Sequence, residues 1–374
     1  MANIFVNGFN SKHGGGKSIL TNFLSLLSEN PQEGVFHVLV PSESDYSEFI
    51  SERINIIKLP RIFSNNLLFP VINHLVLPRL VKKHGCHLVF NLADVPIPTS
   101  AKQVFLFDWP YAVFLESPIW HMMDPVSWLT RKVKLVLFNR YLKHVSLMIA
   151  QSPTMKARLE RHYRLTDVEV IPNAVSLDNL RGGSSRDFQL TSGLNLLYLT
   201  HYYPHKNLEV LIPLAKEILA HKKNIQIVTT IGPDQHPMAA RFLREVENQG
   251  LQGVINNIGP VPMKDVPALY AQTDGLLMPT LLESFSGTYV EAMFHGRPIF
   301  TSELDFATGV CGDAAYYFDP FDPRQILDRI IESQSDPVGR MRKIEAGKRV
   351  LDSLLTWEQA FEKYLLLFKQ ELQR

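Results

Sequence analysis

The sequence predicts an α/β protein made of two parallel-sheet domains in tandem, and three observations predict it. Short apolar runs alternate with stretches of helical apolar spacing along most of the 374 residues, as repeated strand–helix units require. Several of those runs are apolar almost throughout, the pattern of strands covered on both faces. One polar, flexible interval between Asn173 and Ser192 splits the series in two.

In the first half, strands are expected at Ile4–Val6, Val35–Val40, Ile54–Lys58, His87–Asn91, Gln103–Phe107, Ser146–Gln151 and Val168–Ile171. A glycine-rich loop joins the first of them to a helix over Ile19–Leu27. The run Arg181-Gly182-Gly183-Ser184-Ser185-Arg186 is too polar and too flexible to join a core, so the domains are set at 1–178 and 193–356. The second half repeats the pattern with strands at Asn195–Thr200, Ile225–Ile231, Val254–Ile258, Gly275–Met278 and Pro298–Thr301, and helices such as Asn207–His221 and Pro237–Gln249. The final segment, 357–374, carries Phe361, Tyr364, Leu365 and Phe368 at helical spacing, which makes it an amphipathic helix. Two such sheets in tandem imply Rossmann-like domains facing across a cleft, with ligands at the carboxyl ends of the strands.

An apolar content of 45% supports large cores, and a net charge of +1 argues against a polyanion binder. The charge is uneven: residues 1–166 hold 18 Lys and Arg against 11 Asp and Glu, leaving the rest net acidic. Two distant cysteines suit a reducing compartment. The start Met1-Ala2-Asn3-Ile4 has no signal-peptide pattern, and no run of about 18 apolar residues occurs. A cytoplasmic protein is expected, in peripheral contact with the inner face of the membrane.

The richest block runs from Pro279 to Pro298. A strand ends at Pro279, a loop presents Glu283, and a helix starts near Ser286 and stops at Gly296. The N–H groups of Ser286, Gly287 and Thr288 at that helix start suit a diphosphate, and Gly287 carries no side chain to obstruct it. Glu291, one turn in, can accept hydrogen bonds from the vicinal hydroxyls of a ribose, while Glu283 can face a sugar. Either glutamate alone would more often be plain surface; it is the block that carries the reading.

With Ala292-Met293 and Gly296-Arg297-Pro298 following two carboxylates of E-x7-E spacing, and Gly312-Asp313-Ala314-Ala315 ahead of Phe318-Asp319-Pro320, the chain resembles the retaining glycosyltransferases of GT-B fold, family 4. The likeness is densest between Tyr198 and Asp319 and takes in Val170-Ile171-Pro172-Asn173-Ala174.

The resemblance implies that Lys206 is the phosphate-binding lysine, with His201 in the region where the family commonly has an arginine. It implies a glycine-rich turn at Gly15 and Gly16 near the donor, for which a tight strand-to-helix turn is an equal reading, and a nucleoside region at Gly259 and Val261. It gives Asp108, after the strand ending in Phe107, the place where many members have a histidine beside the anomeric carbon; a turn-forming Asp before Trp109-Pro110 is the plainer reading. The last helix would cross back onto the first domain, which presents the acceptor. The reaction would retain configuration, and the diphosphate would help to take the acceptor's proton.

No C-x-x-C pair is present and no Asp-x-Asp follows a strand, so no metal and no cofactor are expected beyond the nucleotide sugar itself, and the leaving charge falls to Lys206 and the helix start. The basic stretch 128–144, with Trp128 at its rim, suits an anionic membrane surface or, equally, a core-packed helix with solvated charges. The function expected is transfer of a sugar to a glycan or polyprenyl-linked acceptor in the synthesis of a bacterial surface polysaccharide, namely O-antigen, lipopolysaccharide or capsule. Nucleic acid is not an expected partner. A non-catalytic relative that binds a nucleotide or stabilises a partner transferase is the alternative. An ATP-dependent enzyme using Gly14–Ser18 is a weaker one, since Ser11 stands where a phosphate loop needs glycine.

Overall fold

The computed structural model describes residues 2–12, 14–65, 68–174, 180–182 and 184–374, and the chain divides into two compact units. One comprises Met1–Glu116, Met123–Ala174 and Leu355–Arg374; the other comprises Ser117–Met122 and Val175–Leu354. The boundary read at 178 falls within 175–179, outside the described residues, as do position 13 of the glycine-rich stretch and Gly183 of the polar one.

Among the described residues the first unit holds seven strands: β1 (Asn3–Asn7), β2 (Val35–Val40), β3 (Ile54–Lys58), β4 (Leu88–Asn91), β5 (Lys102–Phe107), β6 (Leu147–Ala150) and β7 (Val168–Val170). They form a parallel sheet in the order β3-β2-β1-β4-β5-β6-β7. Alternate residues feed two cores. Ile4 and Val6 pack with Leu20, Phe23 and Phe90 on one face, while Phe5 packs with Leu39, Val89 and Ile97 on the other. That two-sided burial is why these strands read as nearly unbroken apolar runs.

Helices α1 (Gly14–Glu29), α2 (Leu77–Lys83), α3 (Pro125–Tyr141) and α4 (Pro153–Tyr163) belong to this unit. The second unit has β8 (Leu194–Tyr198), α5 (Leu211–Ala220), β9 (Ile225–Thr229), α6 (Pro237–Asn248), β10 (Ile255–Asn257), α7 (Val266–Gln272), β11 (Gly275–Met278), α8 (Gly287–Phe294), β12 (Ile299–Ser302), α9 (Asp305–Cys311), β13 (Ala315–Phe318), α10 (Pro323–Ser335) and α11 (Pro337–Ser353). Its six strands are again parallel, in the order β10-β9-β8-β11-β12-β13.

The chain ends in α12 (Trp357–Gln373), opened by a capping box between Thr356 and Gln359. In the first unit its Phe361 lies 5.4 Å from Phe23, and its Tyr364 and Phe368 lie 5.2 and 4.9 Å from Phe90, ring centre to ring centre.

Three local expectations are corrected. Gly14, Gly15 and Gly16 form the first turn of α1 rather than a loop, because Gly14 takes φ +57° and turns the chain directly into the helix. The basic helix begins at Pro125, three residues before Trp128, since the Asp124 carboxylate accepts from the N–H groups of Val126 and Ser127. The helix expected from Asn207 begins as a 3-10 turn and becomes α-helical only at Leu211.

Candidate active site

Each sheet reverses its strand order once, at β1/β4 and at β8/β11. At such a switch point the connections leave in opposite directions and open a crevice at the strands' carboxyl ends. The second unit's strongest sequence candidates sit at its switch point. The loop after β8 carries Lys206, and the loop after β11 carries Glu283.

These two loops are sewn together. The Leu281 N–H donates to the His205 carbonyl at 2.8 Å, and the Thr280 hydroxyl donates to the same carbonyl at 3.0 Å. Buried Asn207 sits at φ 55°, ψ 42°, and its amide donates to the carbonyls of Pro279 and Pro320 at 3.1 and 2.8 Å. The Tyr198 hydroxyl donates to the Lys206 carbonyl.

On this scaffold Lys206 Nζ meets Glu283 Oε1 at 2.5 Å, with side chains only 14% and 12% exposed. The Thr280 hydroxyl also lies 3.3 Å from Glu283 Oε1, an alternative acceptor for its one proton. An ammonium has three donors, so Lys206 can hold Glu283 and still offer protons to a phosphate oxygen.

Glu283 is followed by α8. Ser286 stands at its N-cap but makes no side-chain capping bond, and a Cβ built on Gly287 would meet no atom within 4 Å. The first turn thus presents backbone toward open space, as an anion at the positive end of a helix needs. Glu291 is half-buried, and desolvation pushes its carboxyl up to about 7, a rise that a hydrogen bond from Tyr270 partly opposes. The Tyr270 hydroxyl lies 3.3 Å from Glu291 Oε2 and 3.3 Å from the Thr288 carbonyl.

The remaining donor candidates of this unit lie in other post-strand loops. His201 follows β8, exposed, its ring 5.1 Å from that of Tyr203. Gly259 takes φ +75° with open space around it, and Val261 is half-buried just beyond.

In the first unit, Gly15 is exposed and Gly16 half-buried at the start of α1, beside that sheet's own switch point. A Cβ on Gly15 would come no nearer than 3.9 Å to the Asn173 amide nitrogen. Asp108 leaves β5 half-buried; its charge, after burial itself, raises the titration of Tyr364 on α12. Helix α3 buries only Phe138 and Tyr141, and leaves Val126, Leu129, Val133 and Val136 exposed at 72%, 58%, 38% and 64%. Two of its basic residues turn inward, Lys134 pairing with Asp94 at 2.5 Å and Arg131 lying 4.6 Å over the Tyr111 ring.

The sequence reading missed the residues that hold the site: Tyr198, Asn207, Tyr270 and Thr280. Asn207 had a signal, because asparagine tolerates the left-handed conformation a turn needs. It also missed Gln151, buried at the end of β6, whose amide atoms have no hydrogen-bond partner among the described residues. Among those residues no cluster of three or more His, Cys, Asp or Glu could hold a metal ion, and no helix is long and apolar enough to cross a membrane.

Comparison with known proteins gives this geometry a context. The family described as Glycosyl transferases group 1 matches residues 191–350, and Glycosyltransferase Family 4 matches residues 20–179. A Klebsiella pneumoniae protein described as an uncharacterized 41.2 kDa protein in the cps region is 26% identical over 199 residues, 51% of this chain and 52% of that one. The Escherichia coli O-antigen chain mannosyltransferase B is 35% identical over 91 residues, 24% of each chain. The chain therefore spans about half and about a quarter of those two relatives. Among solved structures, sucrose-phosphate synthase from Thermosynechococcus elongatus has a TM-score of 0.76 at 14% identity, covering 99% of both chains. Anabaena HepE in complex with UDP and glucose has 0.72 at 15% identity, covering 99% of this chain and 100% of its own. WaaG, a glycosyltransferase involved in lipopolysaccharide biosynthesis, has 0.69 at 16% identity, covering 96% and 98%. At these identities the solved structures establish a shared fold, that of two parallel-sheet α/β domains.

Proposed function

The chain belongs to the family 4 glycosyltransferases of GT-B fold, and from that premise we propose that it is a retaining enzyme that moves a sugar from a nucleotide diphosphate sugar to a glycan or lipid-linked acceptor. The single observation that carries the proposal is the Lys206–Glu283 pair, fixed at a switch point next to the unblocked start of α8. A cation beside exposed helical N–H groups matches a diphosphate, and the charge that grows on that leaving group is what both would stabilise. Glu283 is assigned to the sugar and Glu291 to the ribose. Asp108 is assigned to the acceptor hydroxyl, with the diphosphate helping to take its proton. Lys206 and the α8 start are proposed to bear the leaving charge without a divalent cation.

Synthesis of a bacterial surface polysaccharide is the proposed setting. It is supported by likeness to an O-antigen mannosyltransferase and to a protein of a cps region. The apolar stripe of α3 is assigned to the surface of an anionic bilayer, where such a helix lies with its apolar face in the headgroup boundary.

Thermal melts with matched nucleotides test the donor site. A nucleoside diphosphate is expected to stabilise the chain far more than the monophosphate, since only the former reaches both phosphate-binding elements. Lys206→Ala is expected to abolish that difference and to cut release of nucleoside diphosphate from the donor at least about a hundredfold, the scale on which single charge-stabilising groups act. Equal stabilisation by both nucleotides would remove the assignment.

A further inference from the structure

Glu291 is held from a neighbouring helix, and the residue that holds it is not part of the Pro279–Pro298 block. Tyr270, on α7, is fully buried. Its ring lies flat against the imidazole of His295, with centres 4.9 Å apart and planes 13° from parallel, so its hydroxyl is delivered to one place. That place is 3.3 Å from Glu291 Oε2 and 3.3 Å from the Thr288 carbonyl. Both acceptors belong to the first two turns of α8, the turns whose start faces the open space in front of Gly287.

One phenolic proton serves two acceptors here. An ionised Glu291 draws it to the carboxylate. A protonated Glu291 lets it turn to Thr288. With Glu291 ionised, Oε2 is anchored by that proton, while Oε1 makes no hydrogen bond among the described residues and the residue keeps part of its surface open. A glutamate has three rotatable side-chain bonds and would otherwise turn toward water; anchoring one oxygen leaves the other aimed and available at little entropic cost.

We infer that Tyr270 is a positioning residue that holds Glu291 against α8 so that its free oxygen selects ribose over 2′-deoxyribose in the nucleotide. The inference rests on the assignment of Glu291 to the ribose. Loss of one hydrogen bond to a fixed charged acceptor is worth about tenfold or more in affinity, which sets the size of the expected preference.

The test measures dissociation constants of the full chain by calorimetry for UDP against 2′-deoxy-UDP and for GDP against 2′-deoxy-GDP. The wild-type chain is expected to prefer the ribonucleotide of the pair it binds by about tenfold or more. Tyr270→Phe keeps the ring and its stacking on His295, and is expected to lose most of that preference by weakening the ribonucleotide alone. At saturating donor its turnover should stay near wild type, with the effect in KM. Glu291→Gln should lose the preference too, and Tyr270→Phe added to it should change nothing further, a coupling that a packing role would not produce.

A Tyr270→Phe chain that keeps the full preference overturns the inference and leaves the Glu291 assignment standing. A wild-type chain that binds a diphosphate but ignores the 2′-hydroxyl, with Glu291→Gln equally indifferent, overturns the Glu291 assignment itself. If Tyr270→Phe melts early, the same cycle in the Glu291→Gln background decides: additive losses mean packing alone.

Discussion

At the scale of single residues, the decisive groups are buried charges whose worth depends on what reaches them. Lys206 and Glu283 satisfy each other at 2.5 Å, and a half-buried pair of this kind is costly to break from one side because the survivor is left unpaired. Glu291 has no cation among the described residues. Its carboxyl is pushed up from an ordinary 4.5 to about 7 by burial, with Tyr270 working the other way. The folded chain therefore holds this proton more tightly than the unfolded chain, so the group's stabilising contribution is complete below about pH 4.5 and is lost as pH rises through about 7. Melting wild type beside Glu291→Gln isolates this group, since other titrations cancel in the difference. The wild-type chain is expected to lose on the order of 2 kcal/mol relative to the variant between pH 5 and 8. Over the same range its affinity for nucleoside diphosphate should rise, because the ionised oxygen is the better acceptor of ribose hydroxyls. A pH-independent difference would mean the carboxyl is not desolvated.

At the scale of elements, α3 makes the clearest separate claim. Its exposed Val126, Leu129, Val133 and Val136 follow one another at intervals of three and four residues, so they share one helix face. Because Arg131 and Lys134 turn inward, apolar contact rather than charge alone would contribute most to the proposed membrane contact. Leu129→Glu with Val136→Glu is expected to reduce co-sedimentation with phosphatidylglycerol vesicles at least about tenfold, the effect of placing charge where apolar area was to be buried. The melting temperature should hold, since neither side chain is buried. Unchanged sedimentation would assign the stripe elsewhere. Elements also mark how far the sequence was readable. Strands buried on both faces announced themselves as apolar runs, and Pro279–Pro298 displayed its strand, loop and helix in order. The start of α3 was equally readable in Asp124-Pro125, but the basic run drew the boundary to Trp128. The strand Ala315–Phe318 went unread, because one alanine, two tyrosines and a phenylalanine make too short a run to signal a strand without the β12 edge they complete. What no local pattern could reveal was contact at a distance: Lys206 and Glu283 are 77 residues apart, and only the reversal between β8 and β11 makes their loops neighbours.

At the scale of the whole molecule, the course of the chain matters more than any motif. The first unit is not one continuous segment, since its core is completed by Leu355–Arg374 after the entire second sheet has been made. Trp357, Phe361, Tyr364 and Phe368 are buried in the cluster that contains Phe23 and Phe90. At about 1.5–3 kcal/mol for each large apolar side chain, four of them amount to roughly 6–12 kcal/mol, comparable to the whole stability of an ordinary domain, about 5–15 kcal/mol. A chain ending at residue 354 should therefore lose the first unit altogether, while the second keeps its own six-stranded sheet and its Lys206–Glu283 pair. Heating the truncated chain is expected to show one cooperative transition of about half the full enthalpy, together with dye binding to exposed apolar surface before it. Nucleoside diphosphate should still raise that transition, because Lys206, Glu283, Glu291 and the α8 start all lie in the surviving unit. Phe361→Ala with Phe368→Ala in the full chain should weaken the first unit without shortening anything, which separates lost packing from lost length. If the truncated chain instead melts with the full enthalpy, the return of the last helix is a surface attachment, and the first sheet must close its core with α1 alone.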